Sequence, residues 1–456
     1  MKESSALSFG FAGQRARVPP DPIPNSEVKP CSVSSCSMVF GHANLGKLAA
    51  HFSTKQTCRH IYPNFITERL LLWGTDEKMN VLTVLAILTS QFGVGGDIIS
   101  QILSIVYILF FVVFIFYGQR IQMYAMIREV EGSLYKLKFM REEGRKTAVE
   151  TIKEIGKPET DPTPRVDRYL EYFTISPQSM DPAGIVDKLD HILDVRDARL
   201  KDEVKLMAPA TDEAQTYNLE NTLEAAMALN YIYKVVRHYY IQGKKTLSFY
   251  TIMQLQMILP LVMKEAEAYA SALKAFAYGQ PIGDGAGPLV AAKLMHGYET
   301  RKVPKDCVMA TVPFEGRTAL VIKAEGPGGN VGKPGDAVKA TIEENQGKIA
   351  SVIMIDAGLK LEGEKVGEVA EGIGAAIGGP GVDQYKIEEA ISQFHIPINA
   401  VIVKEDIGDA VSPMRKEISD SVDKVIERVK GVVLERTKEG DKIIIVGVGN
   451  TIGVGQ

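Results

Sequence analysis

Two aspartates stand where a carboxylate can do chemistry. Asp284 sits in a glycine-rich loop, Gly279–Leu294 (GQPIGDGAGPLVAAKL), and Asp356 follows directly on the apolar run Ser351–Ile355 in an Ile-Asp-Ala context. An acid placed just where a buried strand leaves its sheet can hold a divalent cation. Two such acids facing each other can also divide the roles of acid and base. Glu362 and Glu364 follow in the same loop (DAGLKLEGE, 356–364), and His395 precedes the next apolar run; these are the weaker candidates for completing a metal set. Two carboxylates with a nitrogen suit a borderline transition metal, whereas an all-oxygen set suits Mg²⁺ or Mn²⁺. The plainer alternative is that Asp284 caps the helix beginning near Pro288 and Asp356 caps a loop.

Glycines mark two further loops. In Glu325–Gly332 (EGPGGNVG), Gly326, Gly328, Gly329 and Gly332 can turn backbone N–H groups into a concavity that fits an anion. Lys333 follows, but Pro334 stands where a nucleotide P-loop has its serine or threonine, so an ATPase is not expected. The loop Gly447–Gly453 (GVGNTIG), with Gly447, Gly449 and Asn450, has the spacing GxGxxxG, and only three residues follow it. No helix can begin there to hold a pyrophosphate, so it is not a dinucleotide fingerprint.

The elements that would position these loops are written in the composition. Of the chain's 41 glycines, 27 fall in residues 279–456, and there the period switches to alternating strand and helix. Ala319–Ile322, Ser351–Ile355, Asn399–Val403 and Lys442–Val446 read as buried strands. Gly287–Leu294, Asp336–Glu344, Ile387–Phe394 and Pro413–Arg428 read as helices between them. That alternation predicts a three-layer α/β domain with a mainly parallel sheet, whose site lies at the carboxyl ends of the strands. Gly372–Gly381 reads as a flexible stretch.

Upstream, residues 165–278 are helical, with an amphipathic stripe at Ile185–Leu193 and longer helices at Asn218–Ile241 and Thr251–Phe276. His191 and His238 lack partners at ligand spacing, so packing or surface roles are expected for them. This middle domain is a plausible surface for homo-oligomers. Before it, residues 119–157 continue a helical pattern as a juxtamembrane helix, which the prolines of KPETDPTPR (157–165) end.

Ile98–Tyr117 (IISQILSIVYILFFVVFIFY) carries no charge across twenty residues, and at 1.5 Å per residue it spans about 30 Å, the thickness of the hydrocarbon core. It predicts a transmembrane helix within a membrane anchor covering 79–118, single-pass if Val81–Val94 lies at the interface, the favoured reading, and two-pass if that run forms a second span in a tight hairpin. The basic residues that follow, from Arg120 to Lys146, place the C-terminal bulk in the cytoplasm. Residues 1–78 are patternless and read as disordered chain or a spurious extension, with the physiological start at Met79. Overall the expected class is α/β: an N-terminal transmembrane helix, a helical middle domain and a C-terminal three-layer α/β domain.

Composition excludes other classes. With 52 Lys+Arg against 56 Asp+Glu the formal charge is −4, so no nucleic-acid partner is expected. Four cysteines, Cys31, Cys36, Cys58 and Cys307, form neither a disulfide framework nor the paired CxxC rhythm of a zinc site.

The loop GQPIGDGAGP and the later Ile355-Asp356-Ala357 resemble the metal-binding positions of hydrogenase maturation endopeptidases and, more distantly, of germination proteases. The resemblance implies Asp284 as the first metal-binding acid and Asp356 as the second. The strand those families place before the loop is absent here, but the terminal KIIIVGVGNT is similar to it, as in a circularly permuted chain; the third ligand has no evident counterpart. From Met79 onward the chain also resembles an archaeal family of membrane-anchored proteins of unknown function. The stretches FFVVFIFYGQRIQ, REVEGSLYKLK, IDAGLKLEGE, AEGIGAAIGG and GVGNT carry that likeness.

Two functions are therefore expected. One is a membrane-tethered, metal-dependent hydrolase of peptidase type with a divalent ion on Asp284 and Asp356. The other is a non-catalytic sensor or scaffold whose glycine loops hold a small anionic ligand, a phosphate or nucleotide.

Overall fold

The computed structural model describes residues 98–177 and 184–456. The expectations for residues 1–78, for a start at Met79 and for Val81–Val94 lie outside the described residues. A 59-residue helix, α1 (Ile98–Gly156), comes first. It is followed by α2 (Thr163–Tyr169), α3 (Ile185–Met207), α4 (Glu213–Thr246) and α5 (Phe249–Ala277). α4 begins with a capping box, in which the Asp212 side chain accepts from Gln215 N and the Gln215 side chain accepts from Asp212 N. It stops at Leu247, whose φ of 47° turns the chain, and Ser248 caps α5. α1, α4 and α5 pack through Val130, Leu137 and Ile152, Leu223, Leu229 and Ile232, and Ile252, Leu255 and Leu273.

Among the described residues no helix is long and apolar enough to cross a membrane. The expected span Ile98–Tyr117 forms the start of α1, and the side chains of several of its residues lie outside the described set. Those described include Ile105, Leu109, Phe110 and Phe114, each at least 60% exposed.

The C-terminal region forms one seven-stranded sheet. Its strands are β1 (Thr300–Val303), β2 (Cys307–Phe314), β3 (Arg317–Ala324), β4 (Ser351–Leu359), β5 (Glu368–Ile373), β6 (Ile398–Glu405) and β7 (Lys442–Gly447). The spatial order is β1-β2-β3-β7-β4-β6-β5. The sheet is mixed, which corrects the mainly parallel expectation. β3, β7, β4 and β6 run parallel, while β1, β2 and β3 form an antiparallel meander and β5 pairs antiparallel with β6. The cause is local. Glu315 and Gly316 both have positive φ, the two-residue turn that suits a hairpin, and Lys305 and Asp306 are left-handed in the loop from β1 to β2.

Helices cover both faces. α6 (Ala286–Met295) and α11 (Ser421–Arg436) pack on one side against Val321, Ile353, Val401, Ile443 and Ile445. On the other, α7 (Pro334–Glu344) and α8 (Val382–Gln393) pack against Ile322, Val352, Met354, Ile444 and Val446. Two short helices, α9 (Ile407–Val411) and α10 (Lys416–Ser419), link β6 to α11. β7 is buried on both faces, which is why its sequence is an unbroken apolar run. As the central strand it delivers residues 448–456 onto the carboxyl edge of the sheet.

Candidate functional site

The terminal loop and the Asp284 loop are fitted to each other. Gly283–Gly285 form a single 3₁₀ turn that holds Asp284 ahead of α6, and the side chain is buried. Its Oδ2 accepts the backbone N–H of Asn450 at 2.8 Å. Glycine is required on both sides of this contact. A Cβ on Gly449, whose φ is +130°, would stand 2.0 Å from the Asp284 carbonyl oxygen. One on Gly287 would stand 2.3 Å from Val448 O and 2.5 Å from Ile355 O, and one on Gly447 2.4 Å from Gly287 O. The glycines of GVGN and GDGAG thus let two backbones approach beside the end of β4.

Asp356 lies in β4 with no exposed surface. Its Oδ1 accepts the N–H of Ala357 at 2.8 Å, while Oδ2 has no hydrogen-bond partner. Glu405, the last residue of β6, is 2% exposed, and both its carboxylate oxygens are without partners. A Cβ on Gly283 would stand 2.5 Å from Glu405 Oε2, so the Asp284 loop passes directly over this carboxylate. Burial, then the charge of Asp284, holds the Asp356 carboxyl well above the usual carboxylate range, and Glu405 adds to it. Burial, then the charges of Asp284 and Asp409, does the same to Glu405. The charge of Asp284 therefore acts on both Asp356 and Glu405 at the carboxyl edge of the sheet.

The remaining candidates are placed elsewhere. Glu364 accepts from Leu361 N at 2.7 Å and pairs with Lys404. The Glu362 side chain is 90% exposed near Lys264. His395 occupies the turn before β6, exposed and with φ 54°, at the opposite end of that strand from Glu405. Among the described residues no group of three or more His, Cys, Asp or Glu side chains is set at metal-holding distances.

The loop Glu325–Gly332 is filled by the protein itself. Gly329 N donates to Asn218 Oδ1 at 2.9 Å, Gly332 N donates to Asn330 Oδ1 at 2.8 Å, and Asn221 Nδ2 donates to Gly329 O at 2.6 Å. Thr451 Oγ1 lies 2.8 Å from Gly328 O, and Gly453 N donates to Pro327 O at 2.9 Å. A Cβ on Gly326 would stand 2.0 Å from Val454 O, and one on Gly328 2.8 Å from the Ala214 Cα. These glycines admit the chain's tail and α4. The Asn450 side chain joins the same seam, donating to Asn221 Oδ1 at 3.2 Å.

Sequence reasoning missed Glu405 and Lys323. Lys323 is 1% exposed at the carboxyl end of β3, and its ammonium donates to Ala324 O at 3.0 Å. Burial pulls its pKa down to about 8. Cys307 is also buried, and its thiol is pushed up to about 12, so it is not a thiolate nucleophile at neutral pH.

Two family models match the chain. Residues 104–279 match the family model "Protein of unknown function (DUF1512) N-terminal domain", and residues 282–455 match "Domain of unknown function (DUF1512) C-terminal". No curated protein and no solved structure matches the chain.

Proposed function

We propose that this chain, which belongs to the DUF1512 family, is a membrane-tethered, metal-dependent hydrolase whose centre is Asp284, Asp356 and Glu405. The observation that carries the reading is the set of orphaned oxygens. Asp356 Oδ2 and both oxygens of Glu405 are buried without a hydrogen-bond donor, beside the buried Asp284. Buried carboxylates without donors are costly unless they are protonated or neutralised by a cation. The three carboxylates do not stand at metal-holding distances by themselves, so a cation would have to draw them together; an all-oxygen set of this kind suits a hard cation, Mg²⁺ or Mn²⁺, better than zinc. In this reading Glu405, rather than Glu364 or His395, would complete the set.

A bound cation at this position supplies a polarised carbonyl and an activated water. The chain's own residues would do the rest. The Asn450 N–H orients the Asp284 carboxylate, the sheet edge and the 280–287 loop keep bulk water away, and Asp356 or Glu405 holds a proton. The resemblance of the GDGAGP loop to that of maturation endopeptidases, together with the close approach of GVGN to that loop, supports a peptidase as the class of hydrolase. The exposed apolar start of α1 supports a tether in the bilayer, with the bulk on the cytoplasmic side where the basic residues follow.

Metal content of full-length protein purified without chelator tests the reading. About one equivalent of divalent ion is expected, falling to background in Asp356→Ala and Glu405→Gln. Folded wild-type protein that takes up neither Mg²⁺ nor Mn²⁺ overturns it.

A further inference from the structure

The end of the helical module nearest the apolar start of α1 carries a surface of mixed character. In α1, Arg120, Ile121, Tyr124 and Arg128 are exposed, Ile121 and Tyr124 at 65% each. In the turn from α4 to α5, Lys244, Lys245, Leu247 and Tyr250 are exposed, the last two at 63% each. Neither residues 120–128 nor residues 242–250 contain an acid.

Helix pairing puts the two groups at one level. Gly144 of α1 lies against Leu229 and Ala226 of α4, and farther along Tyr240 of α4 donates its hydroxyl to Glu131 of α1 at 3.1 Å. As α4 advances, it therefore runs back along α1 toward the apolar segment. Continued at the same pitch, the pairing brings Leu247 level with about Tyr124, seven residues beyond Tyr117. At 1.5 Å per residue that is about 10 Å from the end of the apolar run. A headgroup layer is about 5–8 Å thick, so lysine side chains on this turn reach it. Leu247, the left-handed residue that ends α4, also leaves its side chain in solvent, 63% exposed, where nothing among the described residues covers it.

We infer that the turn joining α4 to α5 is a second lipid-binding surface, which docks on anionic headgroups through Lys244 and Lys245 and inserts Leu247 and Tyr250 at the interface. The inference rests on the reading that Ile98–Tyr117 lies in the bilayer. Docking there fixes the module's rotation about α1, so that the α/β domain is held in one attitude above the membrane.

The test uses the full chain in a Trp73→Phe background, reconstituted into vesicles containing brominated lipid. One set is phosphatidylcholine alone; the other mixes phosphatidylcholine with phosphatidylglycerol. Tryptophan reporters are placed singly by Leu247→Trp and Phe110→Trp. Both are expected to be quenched in the mixed vesicles, and the Leu247→Trp signal is expected to weaken in phosphatidylcholine alone and at high salt. Lys244→Gln with Lys245→Gln should lower the ratio of docked to undocked turn about thirtyfold, since each lysine near an anionic surface contributes about fivefold. Quenching of Phe110→Trp with none of Leu247→Trp overturns the docking and leaves the tether standing. Quenching of neither overturns both. Equal quenching of Leu247→Trp in the two lipids overturns recognition of the headgroup charge.

Discussion

The backbone N–H of Asn450 is bonded to the Asp284 carboxylate across 166 positions of sequence. The bond joins the chain's last loop to the first loop of the α/β domain. It sets Asp284 in place only after β7 has entered the sheet, so the integrity of the tail and the geometry of the acid cluster are one property.

Gly449→Ala tests that dependence. The new Cβ meets the Asp284 carbonyl at 2.0 Å from a backbone at φ +130°, and strain of both kinds is expected to cost about 3 kcal/mol. Chemical unfolding of the variant in detergent measures the loss. Unchanged stability would mean that the tail does not pack here.

The buried acids set a pH dependence. Asp356 and Glu405 both bind protons more tightly in the folded state than in the unfolded one. Folding therefore takes up protons, and metal-free protein is expected to lose stability as pH rises from the ordinary carboxylate range toward the raised folded values. Asp356→Asn should flatten the profile and, without metal, stabilise the protein at pH above neutrality by about 1–3 kcal/mol. Saturating Mn²⁺ should flatten the wild-type profile and leave that of the variant unchanged. Urea midpoints across pH, with and without Mn²⁺, provide the comparison.

Much of this arrangement can be read from sequence, and the misses have physical causes. Asp284 and Asp356 stand out because glycine or an apolar strand surrounds each. Glu405 ends an equally apolar strand, Ile398–Glu405, yet Lys404 and Asp406 beside it make the segment look like an ordinary solvated strand end. The edge strands β1 and β5 are mostly exposed and carry few apolar residues, so periodicity alone does not reveal them. The glycines of 326–332 looked like an anion cradle because the groups that fill it, Asn218, Asn221 and Thr451, lie more than a hundred residues away in the chain.

Lys323 predicts a separate effect of the opposite sign. Its ammonium is less basic folded, at about 8, than unfolded, so the unfolded chain binds more protons between pH 8 and the ordinary lysine value. Stability is expected to rise with pH across that window. Lys323→Met should remove the rise and add about 3 kcal/mol at pH 7. Thermal melts at pH 7 and pH 10 distinguish the two proteins.

Asn221 holds α4 to the glycine loop through Gly329 O and to the tail through Asn450. Asn221→Ala takes the Asn221 donor from the Gly329 carbonyl and the Asn221 acceptor from the Asn450 Nδ2–H, and should cost about 1–3 kcal/mol. Hydrogen exchange at residues 326–332 and 448–454 should rise together in the variant, while His395→Ala changes neither.

β7 sits in the middle of the sheet, so without it the domain would be two half-sheets, β1-β2-β3 and β4-β6-β5, with their inner edges unpaired. The acid cluster would then be unassembled, and a break ahead of Lys442 would silence whatever reactivity it has.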